Sequence, residues 1–145
     1  MFNIDWPKYI EKTENGYKIK DDAFQYRDDI KNIVIPDYVT SIGNATFMNC
    51  AGLTSIIIPD SVTSIRNSAF ENCISLTSIM IPDNVTYIGY YAFYNCNKLE
   101  TVIIKNSKCK IKSNAFDECN SLNNITIGNI FLFKNNNLWK IKNKN

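Results

Sequence analysis

The chain has 145 residues, enough for one domain, and its 45% hydrophobic residues can bury a core. It holds no histidine, the commonest general base, and no apolar run approaches the roughly 18–20 residues that span a membrane. The formal net charge is only +2, and arginine, the usual reader of phosphates and guanine, is nearly absent. The composition therefore disfavours an enzyme, a membrane-inserted protein and a nucleic-acid binder.

The first predicted element is an N-terminal cap formed by residues 1–12. Its side chains Trp6 and Tyr9 are expected to cover the exposed end of the core. The same segment has early acidic residues, a proline and no apolar stretch of signal-peptide length. The missing signal weighs against secretion, although a truncated or mature chain would look the same.

Residues 13–127 follow as five copies of a 23-residue repeat, starting near residues 13, 36, 59, 82 and 105. A fixed period of 20–50 residues predicts a solenoid, because one short unit cannot bury its apolar face until neighbours stack on it. Two columns are invariant over all five copies: Phe24, Phe47, Phe70, Phe93 and Phe116, and Ile19, Ile42, Ile65, Ile88 and Ile111.

Each unit divides into three segments. Residues 53–59 (LTSIIIP) are rich in β-branched side chains and predict a short strand that ends at a proline. Residues 59–65 predict a Pro-Asp turn and a second extended stretch. Residues 67–73 (NSAFENC) place Phe70 and Cys73 at helical spacing and predict a helical turn or short helix. The expected fold is therefore an α/β repeat solenoid of about five units.

The extended motif AF-x-x-C-x-x-L-x-x-I-x-IP-x-x-V-x-x-IG resembles the BspA-type leucine-rich repeat family over residues 13–127. The resemblance implies an adhesion or protein-binding role at the cell surface or after secretion. A cytoplasmic location stays open, because the chain shows no signal peptide. Arg27 in the first copy and Lys105 and Lys108 in the last depart from the motif, as expected for end repeats.

Four cysteines share one column: Cys50, Cys73, Cys96 and Cys119. Ligands 23 residues apart in a solenoid form a line, whereas zinc needs a tetrahedron, and ladder neighbours point in parallel rather than towards each other. We therefore expect buried free thiols and no metal site. A second column, Asp37, Asp60 and Asp83, follows prolines and predicts turns in preference to a calcium stripe. No cofactor is expected.

The candidate ligand-binding surface is the outward side of the predicted strands. It carries an apolar row, Val34, Ile57, Met80 and Ile103, beside a polar row, Ser55, Ser78, Thr101 and Asn124. Exposed apolar side chains in a row indicate binding, whereas the β-propensity of Val and Ile explains them without any ligand. The strip covers on the order of 300 Å², below the roughly 800 Å² per partner of a standard interface. Flanking turns, avidity or further repeats would have to add to it.

The last predicted element is a C-terminal cap, residues 128–145, with Phe131, Phe133 and Trp139 over the end of the core. Residues 98–145 hold nine lysines against three acidic residues, whereas residues 1–97 hold 7 basic and 11 acidic side chains. This basic end (Lys105 to Lys112 and Lys134 to Lys144) is interpreted first as a solvated cap and only distantly as an anion-binding site.

The sequence thus predicts a non-catalytic interaction module that binds a protein or a cell-surface ligand through its strand face. The alternative is a structural spacer without a specific ligand, which self-associates weakly through the apolar row or the ends of the solenoid.

Overall fold

The computed structural model describes residues 3–136 and 138–143, and Lys144 of the predicted basic end lies outside them. A short 3-10 helix (Trp6–Tyr9) precedes the strands. In chain order these are β1 (Ile10–Thr13), β2 (Gly16–Ile19), β3 (Asn32–Val34), β4 (Val39–Ile42), β5 (Ser55–Ile57), β6 (Ser64–Ile65), β7 (Ser78–Ile81), β8 (Tyr87–Ile88), β9 (Thr101–Ile104), β10 (Lys110–Ile111), β11 (Asn124–Ile127), β12 (Ile130–Asn135) and β13 (Leu138–Asn143).

The first side of the solenoid is built from the L-x-x-I-x-I segments, whose β-branched residues suit an extended backbone. Here β3 pairs with β5, and β7, β9 and β11 pair in that order, all in parallel. Partners lie 23 residues apart, for example Met80 beside Ile103. Equivalent residues of successive repeats therefore stand side by side, which confirms the predicted solenoid.

The second side is a six-stranded sheet in the order β1-β2-β4-β6-β8-β10. Its strands after β1 are the second extended stretches of the repeats, and they pair in parallel. The predicted Pro-Asp turns lead into them: the Val62 N–H, for example, donates to the Pro59 carbonyl over 3.1 Å.

The third side, here called the turn side, is formed by residues 67–74 and the equivalent segments of the other repeats. It contains no helix in the described residues, so the prediction of a short helix in each unit is wrong. A helix needs each N–H to bond a carbonyl four residues earlier. Here the Phe70 N–H instead donates to Ala92 of the next repeat over 2.7 Å. Ser68 and Asn72 have φ of 56° and 59°, which breaks the segment into consecutive turns.

The invariant phenylalanines form one stack through the core. Successive ring centroids from Phe24 to Phe116 are 5.0–5.2 Å apart and the ring planes differ by 2–11°. This spacing follows the roughly 4.8 Å separation of neighbouring strands. The first four rings are buried. The stack is therefore the continuous apolar centre of the solenoid.

The two ends differ. Trp6 and Tyr9 pack on Phe24, with ring centroids 5.7 and 4.5 Å from it. At the other end, β12 and β13 form an antiparallel hairpin that extends the first sheet sideways from β11. Because Phe131 lies opposite Thr126 and Phe133 opposite Asn124, both rings lie on the outward side of the sheet and not over the last core ring.

Candidate functional site

The outward side of the β3, β5, β7, β9 and β11 strands, here called the strand face, presents both rows named from the sequence. In the apolar row, Val34, Ile57 and Met80 are 51%, 61% and 52% exposed, and Ile103 is half-buried. Strand alternation accounts for this, since the residues between them, such as Ile33 and Ile79, point into the core. Ser55, Ser78, Thr101 and Asn124 form the polar row beside them.

A cleft interrupts the strand face between β5 and β7. These strands are neighbours along the solenoid, yet they belong to separate hydrogen-bonded sheets. The cleft has a volume of about 240 Å³ and is lined mainly by Ile57, Ile58, Met80 and Pro82, with Asp60 and Lys105 at its polar edge. The apolar row therefore contains a depression that can receive an apolar side chain, with one charge of each sign nearby.

The hairpin lengthens the strand face. Phe131 and Phe133 stack with centroids 6.0 Å apart and lie in register with Thr126 and Asn124. Sequence reasoning assigned these rings to the core end and missed their place on this surface. Seven strands at about 4.8 Å spacing give a strip of roughly 400 Å², still below the area of a standard protein interface.

The cysteine column lies in the core, and burial keeps the Cys50 and Cys73 thiols protonated. Cys50, Cys73, Cys96 and Cys119 are free and buried, and each thiol donates to the carbonyl of the phenylalanine 26 residues earlier, over 3.0–3.2 Å. Burial raises the pKa of the Cys50 thiol to about 11 and that of Cys73 well above its usual value. Thiols held protonated in this way are poor nucleophiles and poor metal ligands.

Sequence reasoning treated the column only as small core residues and missed the thiol hydrogen bond. The signal in the sequence is that each of these four cysteines lies 26 residues after a phenylalanine, whereas Arg27 lies 26 residues after Met1.

The described residues do not bring the other candidate reactive or metal-binding side chains together. Within residues 3–136 and 138–143, no group of three or more histidine, cysteine or acidic side chains is arranged to hold a metal ion. Cys109 is half-buried and packs against the core, and burial raises its pKa. Asp37 and Asp83 are exposed in their turns. Among the described residues, no helix has both the length and the apolar character that crossing a membrane requires.

Comparison with known proteins identifies the repeat. The family model for the BspA type leucine rich repeat region matches residues 17–144 in six copies, one more than the five repeats counted from the sequence. No curated protein sequence matches the chain at a significant level.

Solved structures share the fold. A leucine-rich repeat protein of T. pallidum matches with a TM-score of 0.72 and 30% identity over 74% of this chain and 50% of its own. A leucine rich cell surface protein from Faecalibacterium prausnitzii matches with a TM-score of 0.61 and 32% identity, over 81% of this chain and 37% of its own. The pneumococcal vaccine antigen PcpA, at 22% identity and a TM-score of 0.64, covers 87% of this chain and 32% of its own, and shows the fold alone. The chain thus spans half or less of the length of these proteins.

Proposed function

Because the chain belongs to the BspA-type leucine-rich repeat family, we propose that it is a non-catalytic protein-interaction module whose strand face contacts the ligand. The observation that carries this proposal is the exposed apolar row, since Val34, Ile57 and Met80 are each more than half exposed. Apolar side chains in register on a soluble surface are typical of binding sites.

The cleft is the proposed centre of the contact with the ligand. Binding energy in protein interfaces concentrates where a side chain fills a well-packed pocket and is shielded by its neighbours. The cleft beside Ile57 and Met80 is apolar and large enough for one such side chain. Met80 suits this place because its flexible thioether adapts to different shapes. The surrounding serine and threonine hydroxyls supply hydrogen bonds at the rim.

The limited area of the strand face sets the expected affinity. A strip of roughly 400 Å² supports weak binding by one copy, so tight capture requires several copies or the adjoining turns. We further propose a location at the cell surface or outside the cell. The related Faecalibacterium prausnitzii protein, described as a cell surface protein, supports this location.

The test replaces Ile57 and Ile103 together by aspartate. Two charges in the apolar row are expected to abolish capture of the surface proteins that the wild type retains, measured by quantitative mass spectrometry of material bound to the immobilised protein. The variant is expected to stay folded with a melting temperature lowered by about 5–10 °C, because each site loses about 1 kcal/mol and Ile103 is half-buried.

The matched control is Tyr26→Asp with Ile74→Asp, which adds the same charge to exposed apolar residues on the turn side. This variant is expected to retain the captured proteins. Equal capture by both variants would refute the assignment of the strand face.

Self-association is the competing function, because the same exposed row could pair two copies. Light scattering from low to high micromolar protein is expected to show a monomer throughout. A concentration-dependent rise in mass that Ile57→Asp with Ile103→Asp removes would favour the spacer role instead.

A further inference from the structure

On the turn side, two backbone N–H groups of the fifth repeat lack, among the described residues, the hydrogen-bond acceptors that their equivalents have in the other repeats. In the fourth, the Phe93 and Asn95 N–H groups donate to the carbonyls of Ala115 and Asp117, over 2.7 and 2.9 Å. The equivalent donors in the fifth repeat are the N–H groups of Phe116 and Glu118, and no acceptor for either lies in the described part of the chain. Two parallel backbone donors therefore point out of this end of the solenoid.

The core is uncovered at the same place. Phe93 stacks on one side of Phe116, with centroids 5.1 Å apart, and among the described residues no further ring follows. Phe116 is half-buried, whereas Phe24 at the opposite end lies under Trp6 and Tyr9 and is 1% exposed.

The hairpin adds apolar surface beside this opening. Leu132 and Ile130 lie opposite Ile125 and Ile127, which pack against the core, so their side of the hairpin continues the core side of the sheet. Ile141 lies opposite Leu132 on that same side and is 70% exposed. Ile130, Leu132 and Ile141, here called the hairpin row, thus extend this apolar side past the last repeat.

The last repeat and the hairpin carry lysines. Lys108 and Lys110 of the fifth repeat are exposed. Lys134 lies over the Trp139 ring, 5.2 Å from its centroid. Residues 98–145 carry a net charge of +6 from nine lysines and three acidic residues. Asp117 and Glu118 are also exposed at this end, but lysines are in excess, so an occupant with acidic side chains is favoured.

A second copy of the chain does not match this surface. Two such ends placed together would set donors against donors and lysines against lysines. The opposite end of a second copy offers backbone carbonyls, but its core is covered by the 3-10 helix (Trp6–Tyr9), with Tyr9 4.5 Å from Phe24.

We propose that the open end of the solenoid binds an extended acidic segment of a partner protein. The open end consists of Phe116, Glu118, the hairpin row and the lysines Lys108, Lys110 and Lys134. The carbonyls of that segment accept hydrogen bonds from the Phe116 and Glu118 N–H groups, as the next repeat does elsewhere in the solenoid. Its acidic side chains pair with the lysines, and its apolar side chains cover Phe116 and Ile141. This mode is an addition of chain to an unpaired edge.

The test uses a fluorescent peptide of about ten residues in which glutamate and valine alternate, and a lysine-valine peptide as the charge-reversed control. The acidic peptide is expected to bind saturably, to weaken as salt is raised, and to shift the amide NMR signals of Phe116 and Glu118. Replacing Lys108, Lys110 and Lys134 by glutamate is expected to weaken peptide binding by about tenfold or more.

The matched control replaces the exposed Lys12, Lys31 and Lys98 by glutamate, which makes the same change of charge away from the open end. It is expected to bind the peptide within about twofold of the wild type. Ile57→Asp with Ile103→Asp is also expected to bind normally, which separates this site from the strand face.

Several results would overturn the proposal. They are shifts confined to the strand face, equal weakening by both lysine triples, binding to vesicles of anionic phospholipid without binding to the peptide, or a dimer that forms through this end.

Discussion

Phe70→Ala is expected to lower the free energy of unfolding by about 3–5 kcal/mol, the usual cost of removing a buried phenylalanine. Phe70 is fully buried between Phe47 and Phe93, with ring centroids 5.2 and 5.0 Å away. Its removal leaves a gap in the middle of the stack, and the hydrogen bonds between repeats hold its neighbours in place. Urea denaturation followed by circular dichroism measures the loss.

Two further substitutions make this result specific to the stack. Tyr26→Ala removes an aromatic ring that is 69% exposed on the same side and is expected to change stability by less than about 0.5 kcal/mol. Phe116→Ala, at the half-buried end, is expected to fall between the two, because among the described residues only Phe93 stacks on its ring. A Phe70→Ala cost no larger than that of Tyr26→Ala would contradict a core built on the phenylalanine column.

The sequence predicts the architecture well because the repeat makes every column an independent test of burial. A residue type that recurs five times at one place in a stacked unit faces the same surroundings each time. The phenylalanine stack, the strand of the L-x-x-I-x-I segment and the Pro-Asp turn all followed from this reasoning, and the structure contains each of them.

The short helix was wrong for a physical reason. Ala69, Phe70 and Cys73 reach the core at the same spacing in a helix or in consecutive turns, so side-chain periodicity does not separate the two. The difference lies in where the backbone N–H groups donate. Asparagine at 49, 72 and 95 was the available signal, since asparagine tolerates positive φ. These side chains also bond one another, over 2.7 and 2.8 Å.

The details of the candidate site were less predictable. Residues 53–59 and 76–82 both fit the strand pattern, and the pattern does not show that β5 and β7 lack hydrogen bonds to each other. The cleft and its edge residues Asp60 and Lys105 follow from that missing pairing. The position of Phe131 and Phe133 depends on the hairpin register, which alternating residues alone do not fix.

Alkaline pH is expected to unfold the protein through its thiol column. Burial raises the pKa of Cys50 to about 11 and that of Cys73 well above its usual value, and the neighbouring Cys119 thiol together with burial raises that of Cys96. In the unfolded chain these thiols ionise near pH 8.5–9. The folded state keeps them protonated, so the stability that they contribute is complete below that pH and is lost as the pH rises towards the folded values.

The expected size follows from linkage. Each thiol that ionises only in the unfolded chain lowers the free energy of unfolding by about 1.4 kcal/mol per pH unit, so three give about 4 kcal/mol per unit above pH ~9. Urea denaturation at a series of pH values, under reducing conditions, measures this slope.

The variant Cys50→Ala with Cys73→Ala isolates these two thiols from other groups that titrate in this range. Cys96 is kept, because its hydrogen bond lowers the pKa of Cys119 and its removal would change that titration too. Lys18, whose pKa the hydrogen bond to Glu11 raises above its ordinary value of 10.5, loses its contribution only above that pH and is present in both proteins. The variant is less stable at pH 7 because it loses packing, so the comparison is between slopes and not between stabilities. A shallower slope in the variant assigns the alkaline transition to the buried thiols. Equal slopes would refute the prediction, because they would mean that the thiols ionise in the folded chain despite their hydrogen bonds to the phenylalanine carbonyls.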